Sequence, residues 1–408
     1  MIQQIENAIA NFTLAWWNLA GKPVPQVRTY DIAAKKRNEK QVNGLVADLE
    51  KKFENHERID EADRIYVKKL ILPFAAKFSP MESNLFTGEL FDRFIDTARV
   101  FVSRARAFDP SVSVNDIAQA VRNLWVINVI QVLFGREVIL TECAFAYSML
   151  YPCTDNFLDD DSLCSQERKH TILRFGERLK GEMIPPATGY EEQLWKLVEM
   201  METERERTGY ARFYESLAAI QDAQVTSMGQ QQILTLPYCT DILGLSMRKG
   251  GTSVLVDGFI AKNELDENEF ELMFGFGVLL QLIDDLQDVH DDKLKRHCTL
   301  FSQLAGHWKL DELAEKLIVF SGQVSAGLEV LPSPYTHDIC KLVLENCQLL
   351  IQEAIVKNKR YFSAGMVKNA ESQLFVRSRF LRNLKKKYRG KKARKGWILP
   401  ATVNIIPK

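Results

Sequence analysis

The chain has 408 residues, 46% of them hydrophobic, with 53 basic and 53 acidic side chains that cancel to a formal charge of zero. That is enough to bury one large domain or two smaller ones, and it is an ordinary soluble composition. No window approaches eighteen consecutive apolar residues, and Glu6 stands where a secretory signal would want Lys or Arg, so neither a membrane span nor a signal peptide is expected and the cytoplasm is the default compartment.

Ile2, Ile5, Ile9, Phe12 and Trp16 recur by threes and fours, the stripe of an amphipathic helix. The same period continues nearly throughout, and no long stretch alternates with period two, so the expectation is an all-α chain. Gly21, Gly44, Gly88, Gly135, Gly181, Gly209 and Gly306 read as breaks between helices, as do Pro23, Pro25, Pro110, Pro185, Pro186, Pro332 and Pro334. There is no internal repeat and no sharp composition change before the C-terminal tail, so a single helical bundle over residues 1–376 is expected. The seven cysteines (Cys143, Cys153, Cys164, Cys239, Cys298, Cys340 and Cys347) are odd in number and show no CxxC spacing. That argues against both a disulfide framework and a zinc site.

Two acidic clusters stand out. "YPCTDNFLDDDSL", residues 151–163, follows an apolar segment and sets Asp155 and Asp159 at i and i+4; read alone, it is as well explained by a solvated helix end. "GVLLQLIDDLQDVHDD", residues 277–292, places carboxylates directly behind an unbroken apolar run. In a helix Gln281, Asp284, Asp285 and Asp288 share one face, and burying unpaired carboxylates costs about several kcal/mol each unless a cation or hydrogen-bond donors compensate. If two such helices face each other, their oxygen ligands suit Mg²⁺, which binds substrate phosphates alongside one or two carboxylates. Other chemistries lack their signatures: "GFGVLL" has no third glycine, there is no GxxxxGK[ST] or HExxH, and neither cluster has the oxygen spacing of an EF-hand.

"GVLLQLIDDLQD" resembles the GxxFQxxDDxxD motif of trans-prenyl diphosphate synthases, with Gly277, Gln281, Asp284, Asp285 and Asp288 matching and Leu280 in place of Phe. "DNFLD" at 155–159 is similar to the first DDxxD motif of that family, with Asn156 for the second Asp, and "MRKGGTSVLVDGFIA" resembles the Lys-Thr-Gly segment before the second motif. The resemblance covers about residues 140–305 and points to the class I isoprenoid synthase superfamily, hence to an α-helical bundle around a central cavity. It implies several Mg²⁺ ions held by Asp155, Asp159, Asp284, Asp285 and Asp288, and a substrate diphosphate bound by Arg248, Lys249, Gln281, Lys293 and Arg296. Gly250 and Gly251 would lie where helices approach closely. Phe145, Tyr147, Tyr151, Phe274 and Phe276 are candidates to line the cavity, with ordinary core packing as the competing reading for each.

Departures from the family pattern choose among its members. Chain-elongating synthases carry a GKRxRP-like segment and paired arginines after the first motif to bind isopentenyl diphosphate. Here "GKPVPQVR" is a faint echo, and the basic group after the first motif is Arg168, Lys169 and His170. An enzyme with one diphosphate substrate can dispense with that second anion site. The expected function is therefore a Mg²⁺-dependent class I terpene synthase that ionises an allylic prenyl diphosphate. A chain-elongating or squalene/phytoene-type prenyltransferase is the alternative, and an inactive synthase-like partner subunit a further one. The last segment, 377–395, holds eleven Lys and Arg and no acid, leaving 42 basic against 53 acidic residues elsewhere. Phe375, Phe380 and Leu384 have helical spacing, so the start of this tail is expected to dock by an apolar edge, with its arginines near the cavity mouth and its later lysines in solvent or on anionic lipid. No nucleic-acid partner is expected, and a homodimer is left open.

Overall fold

In the computed structural model the described residues are 1–19, 28–53, 66, 69–70, 89–158, 164–231 and 241–388. They form α-helices and two short 3₁₀ turns, and no strand occurs among them. In chain order the helices are α1 (Ile2–Trp17), α2 (Ile32–Phe53), α3 (Glu89–Phe108), α4 (Val114–Leu133), α5 (Glu142–Leu158), α6 (Ser165–Leu179), α7 (Gly189–Glu204) and α8 (Ala211–Ser227), then α9 (Ile242–Lys262), α10 (Glu267–Gln287), α11 (Val289–Lys295), α12 (Asp311–Leu328), α13 (Thr336–Lys357), α14 (Ala364–Gln373) and α15 (Ser378–Tyr388).

The centre of the bundle is the antiparallel pair α9 and α10. Both are buried over most of their length, which a helix tolerates only when it is wrapped by others. Helix α10 starts at a capping box, in which the Asp266 side chain accepts from the Glu269 N–H and Glu269 answers to the Asp266 N–H. The pair is seated through glycine: a Cβ on Gly250 would overlap Gln281 and the Gly277 backbone, and one on Gly251 would overlap the Phe274 ring. The close approach expected at Gly250 and Gly251 is thus present, and Gly277 is its counterpart on α10. Helix α1 covers the pair by laying Phe12 on Gly275, with the Phe12 and Phe274 ring centroids 6.0 Å apart. Helices α4, α5, α8, α12 and α13 complete the jacket.

Two expectations need correction, for Gly44 and the basic tail, and the open reading of three aromatic residues falls to core packing. Gly44 lies inside α2 and breaks nothing. Phe145, Phe274 and Phe276 are core residues: Phe145 stacks among Phe101, Phe108 and the Arg104 guanidinium, and Phe274 packs on Phe12 and Phe270. The start of the basic tail is helical and docks by its apolar edge, but onto α2. Val376, Leu381 and Leu384 form a small separate core with Val42 and Val46. Arg377 forks onto the buried Glu39 carboxylate, and Lys387 meets Glu50 at 3.1 Å, so α2 and α15 run parallel. Residues 389–408 lie outside the described residues.

Candidate active site

Helix register sets Gln281, Asp284, Asp285 and Asp288 of α10 and Lys249 of α9 at one end of the central pair. On α5 and α9, the Tyr147 hydroxyl donates to the Ser253 carbonyl at 3.0 Å, and the Tyr151 hydroxyl is hydrogen-bonded to Ser253 Oγ. Asn123 of α4 ties the next turn together, donating to Ser148 Oγ at 3.2 Å and to Asp257 Oδ1 at 3.3 Å. Asp155 lies one turn beyond Tyr151 on α5. Asp159 lies outside the described residues.

The carboxylates of the second cluster do not share one role. Asp285 is turned inward and buried, accepting from Gln281 Nε2 on Oδ1 and from Ser246 Oγ on Oδ2, both at 2.7 Å. Burial pushes its carboxyl up to about 6 against those two donors, with Asp284 adding to the rise and Lys249 opposing it. It is a brace between α9 and α10 with both oxygens engaged by hydrogen-bond donors. Asp284 is exposed. Asp288 caps the C-terminus of α10, where the chain turns slightly before α11 resumes.

The end of α13 supplies groups that sequence reasoning missed. Lys357 donates to the Gln287 carbonyl at 2.8 Å and lies 3.4 Å from Asp288 Oδ1, while Asn358 donates to the carbonyls of Leu286 and Gln287. These donors satisfy carbonyls that the helix end leaves unpaired. Beside them His290 is held between the Tyr361 hydroxyl at 3.0 Å and the Arg360 guanidinium at 3.1 Å. The guanidinium only donates, so His290 Nε2 accepts that hydrogen bond.

Asp292 is the fourth carboxylate. It sits seven residues beyond Asp285 and four beyond Asp288, on the stripe that Gln281 begins, so spacing could have found it. Burial, then Asp285, Asp288 and Asp284, push its carboxyl up to about 8, with Lys249 pulling the other way. Of the cations expected to meet a diphosphate, Lys249 alone shows this electrostatic coupling to the cluster. Arg248 is paired with Glu6 of α1, Lys293 donates to the Ala305 carbonyl, and Arg296 sits exposed in a left-handed C-cap at φ 57°.

Among the described residues no three His, Cys, Asp or Glu side chains converge as a ready cage for an ion. The donor set nonetheless fits Mg²⁺, which keeps several waters and takes one or two carboxylates together with ligand phosphate oxygens. The rise that burial and the neighbouring carboxylates impose on the Asp292 carboxyl marks a place short of positive charge. Comparison with protein families, with curated proteins and with solved structures gives no match.

Proposed function

We propose that the protein is a Mg²⁺-dependent class I terpene synthase acting on an allylic prenyl diphosphate. The observation that carries this reading is the crowding of Asp284, Asp285, Asp288 and Asp292 around Lys249 and Lys357, where burial and the neighbouring carboxylates push the Asp292 carboxyl up. A polyanion bound there with divalent cations would supply the missing charge balance. Asp284, Asp288 and Asp292, with Asp155 from the facing helix, would hold Mg²⁺, which when bound neutralises the leaving diphosphate. Lys249, Lys357 and Arg360 add charge-assisted donors to phosphate oxygens. Asp285 works indirectly, fixing α9 against α10 so that Lys249 and the acidic stripe stay opposed. The buried apolar faces of these helices would keep water from a cation formed beneath this end.

The chain-elongating alternative makes the opposite demand on co-substrate. Incubation with geranyl, farnesyl, geranylgeranyl and geranylfarnesyl diphosphates, each with and without isopentenyl diphosphate, separates the two. A hydrocarbon or terpene alcohol formed without isopentenyl diphosphate supports the synthase; a longer diphosphate formed only in its presence establishes the prenyltransferase. Among the described residues no helix is long and apolar enough to cross a membrane. Release of a product so apolar would be helped by peripheral contact with anionic lipid through the basic C-terminal segment, and a salt-dependent vesicle sedimentation assay tests that contact.

A further inference from the structure

Beside the carboxylate end lies an exposed surface built by three segments distant in the chain. Lys293 of α11 donates to the Ala305 carbonyl, Lys309 donates to the Arg360 carbonyl at 3.3 Å, and the Leu310 N–H donates to the Tyr361 carbonyl at 2.9 Å. Residues 289–296, 305–310 and 357–361 are thereby tied together. Phe301, Ala305 and Leu310 are buried and anchor the middle segment in the core. Trp308 is nonetheless 69% exposed, and Leu294 on α11 is 70% exposed.

Apolar residues scattered singly on a surface are ordinary and need no explanation. These two differ in their company. Across the three segments seven Lys and Arg side chains are exposed, against one exposed acid, Asp291. An indole and an aliphatic chain set among cations suit the boundary of an anionic bilayer. The indole lodges at headgroup level, the aliphatic chain reaches hydrocarbon, and the cations meet lipid phosphates. A nucleic acid would satisfy the cations and offer a base to Trp308, but it has no hydrocarbon layer for Leu294.

We propose that this surface docks the protein on anionic membrane, with Trp308 and Leu294 entering the headgroup region and Lys295, Arg296, Lys309 and Lys359 set against lipid phosphates. The contact is distinct from the one assigned above to the basic C-terminal segment. It goes beyond the synthase reading and does not depend on it, since vesicle binding needs no substrate. Under that reading it acquires a use: the carboxylate end is brought beside the phase in which a prenyl chain dissolves, so an apolar product leaves without crossing bulk water.

The test is co-sedimentation of full-length protein, without substrate, with vesicles of phosphatidylcholine alone or mixed with phosphatidylglycerol. Wild type should bind the mixed vesicles, and less so as salt rises. The double variants Leu294→Ala/Trp308→Ala and Lys295→Glu/Lys359→Glu should each weaken binding by about tenfold or more. Their thermal midpoints should match wild type, because all four side chains are exposed. Lipids brominated on the upper acyl chain should quench a part of the tryptophan emission that Trp308→Phe removes. If a double variant does not fold, this quenching difference decides. Wild-type affinity in both double variants would overturn the proposal and leave vesicle binding to the C-terminal segment. Loss in the lysine variant alone, with Trp308 unquenched, would also overturn it and mark a general polyanion contact of the kind a nucleic acid makes. Failure of the synthase reading reads out separately, as no diphosphate release from any prenyl diphosphate with or without vesicles.

Discussion

Ser246 Oγ donates to Asp285 Oδ2 at 2.7 Å across the seam between α9 and α10, in a place where both side chains are buried. Removing the hydroxyl leaves a buried carboxyl oxygen without its donor. Ser246→Ala should therefore destabilise the fold by about 1–3 kcal/mol, read from denaturant midpoints. Asp285→Ala should unsettle the fold as well as the site, because Gln281 and Ser246 both lose their acceptor.

Asp284→Ala should behave differently. This side chain is exposed, so its loss should leave stability within about 0.5 kcal/mol of wild type while abolishing Mg²⁺-dependent turnover. Circular dichroism and a Mg²⁺ titration of diphosphate release measure the two halves separately. Wild-type turnover at limiting Mg²⁺ would remove Asp284 from the site.

Asp292 predicts a pH dependence whose sign follows from its raised carboxyl. Between the unfolded value near 4 and the folded value of about 8, the folded state holds the extra proton, so stability falls as pH rises through that window. Asp292→Asn should flatten this slope and raise the thermal midpoint at the alkaline end, on the order of 1 kcal/mol or more. Mg²⁺ with pyrophosphate should restore wild-type stability there, a ligand effect that the variant would show only weakly.

The contact between Gly250 and Gly277 is as tight as two backbones allow. Gly277→Ala should force α9 and α10 apart and cost about 1–3 kcal/mol or more from overpacking. Turnover should fall further than stability alone explains, since the same displacement separates Lys249 from the acidic stripe. A Gly44→Ala control, on an open helix surface, should be neutral or slightly stabilising.

Arg377 is held by Glu39. Glu39 is buried and its carboxyl is held below the usual range chiefly by the Arg377 hydrogen bond, so Arg377→Ala should lower the thermal midpoint and loosen α2. Limited proteolysis of α2 should then quicken, while the rate with soluble substrate stays the same. An altered rate at unchanged stability would instead return Arg377 to the lid role that its position in the basic tail suggests.

The helical period of the apolar residues and the breaks at Gly135, Gly181 and Gly306 were legible in the sequence, because they depend on local backbone freedom and on which side of a helix can be wet; the close approach at Gly250 and Gly251 came from the family resemblance alone. Gly135, Gly181 and Gly306 all adopt positive φ, which a residue with a Cβ rarely does. The acidic run after "GVLLQ" was legible as a unit for the same reason. What each acid does was not. Asp284 and Asp285 are neighbours in sequence, yet a rotation of about 100° per residue sends one to solvent and the other against Ser246. Lys357, Asn358 and Arg360 meet the second cluster only because α13 ends beside α10, about seventy residues away in the chain. Whether Arg377 reaches a ligand or Glu39, and whether Asp257 is one more polar residue in an apolar helix or a buried acid facing Asn123, depends on which helices become neighbours. Local pattern fixes the face a side chain occupies; only the packing of distant segments supplies the charge, donor or apolar wall on the other side of it.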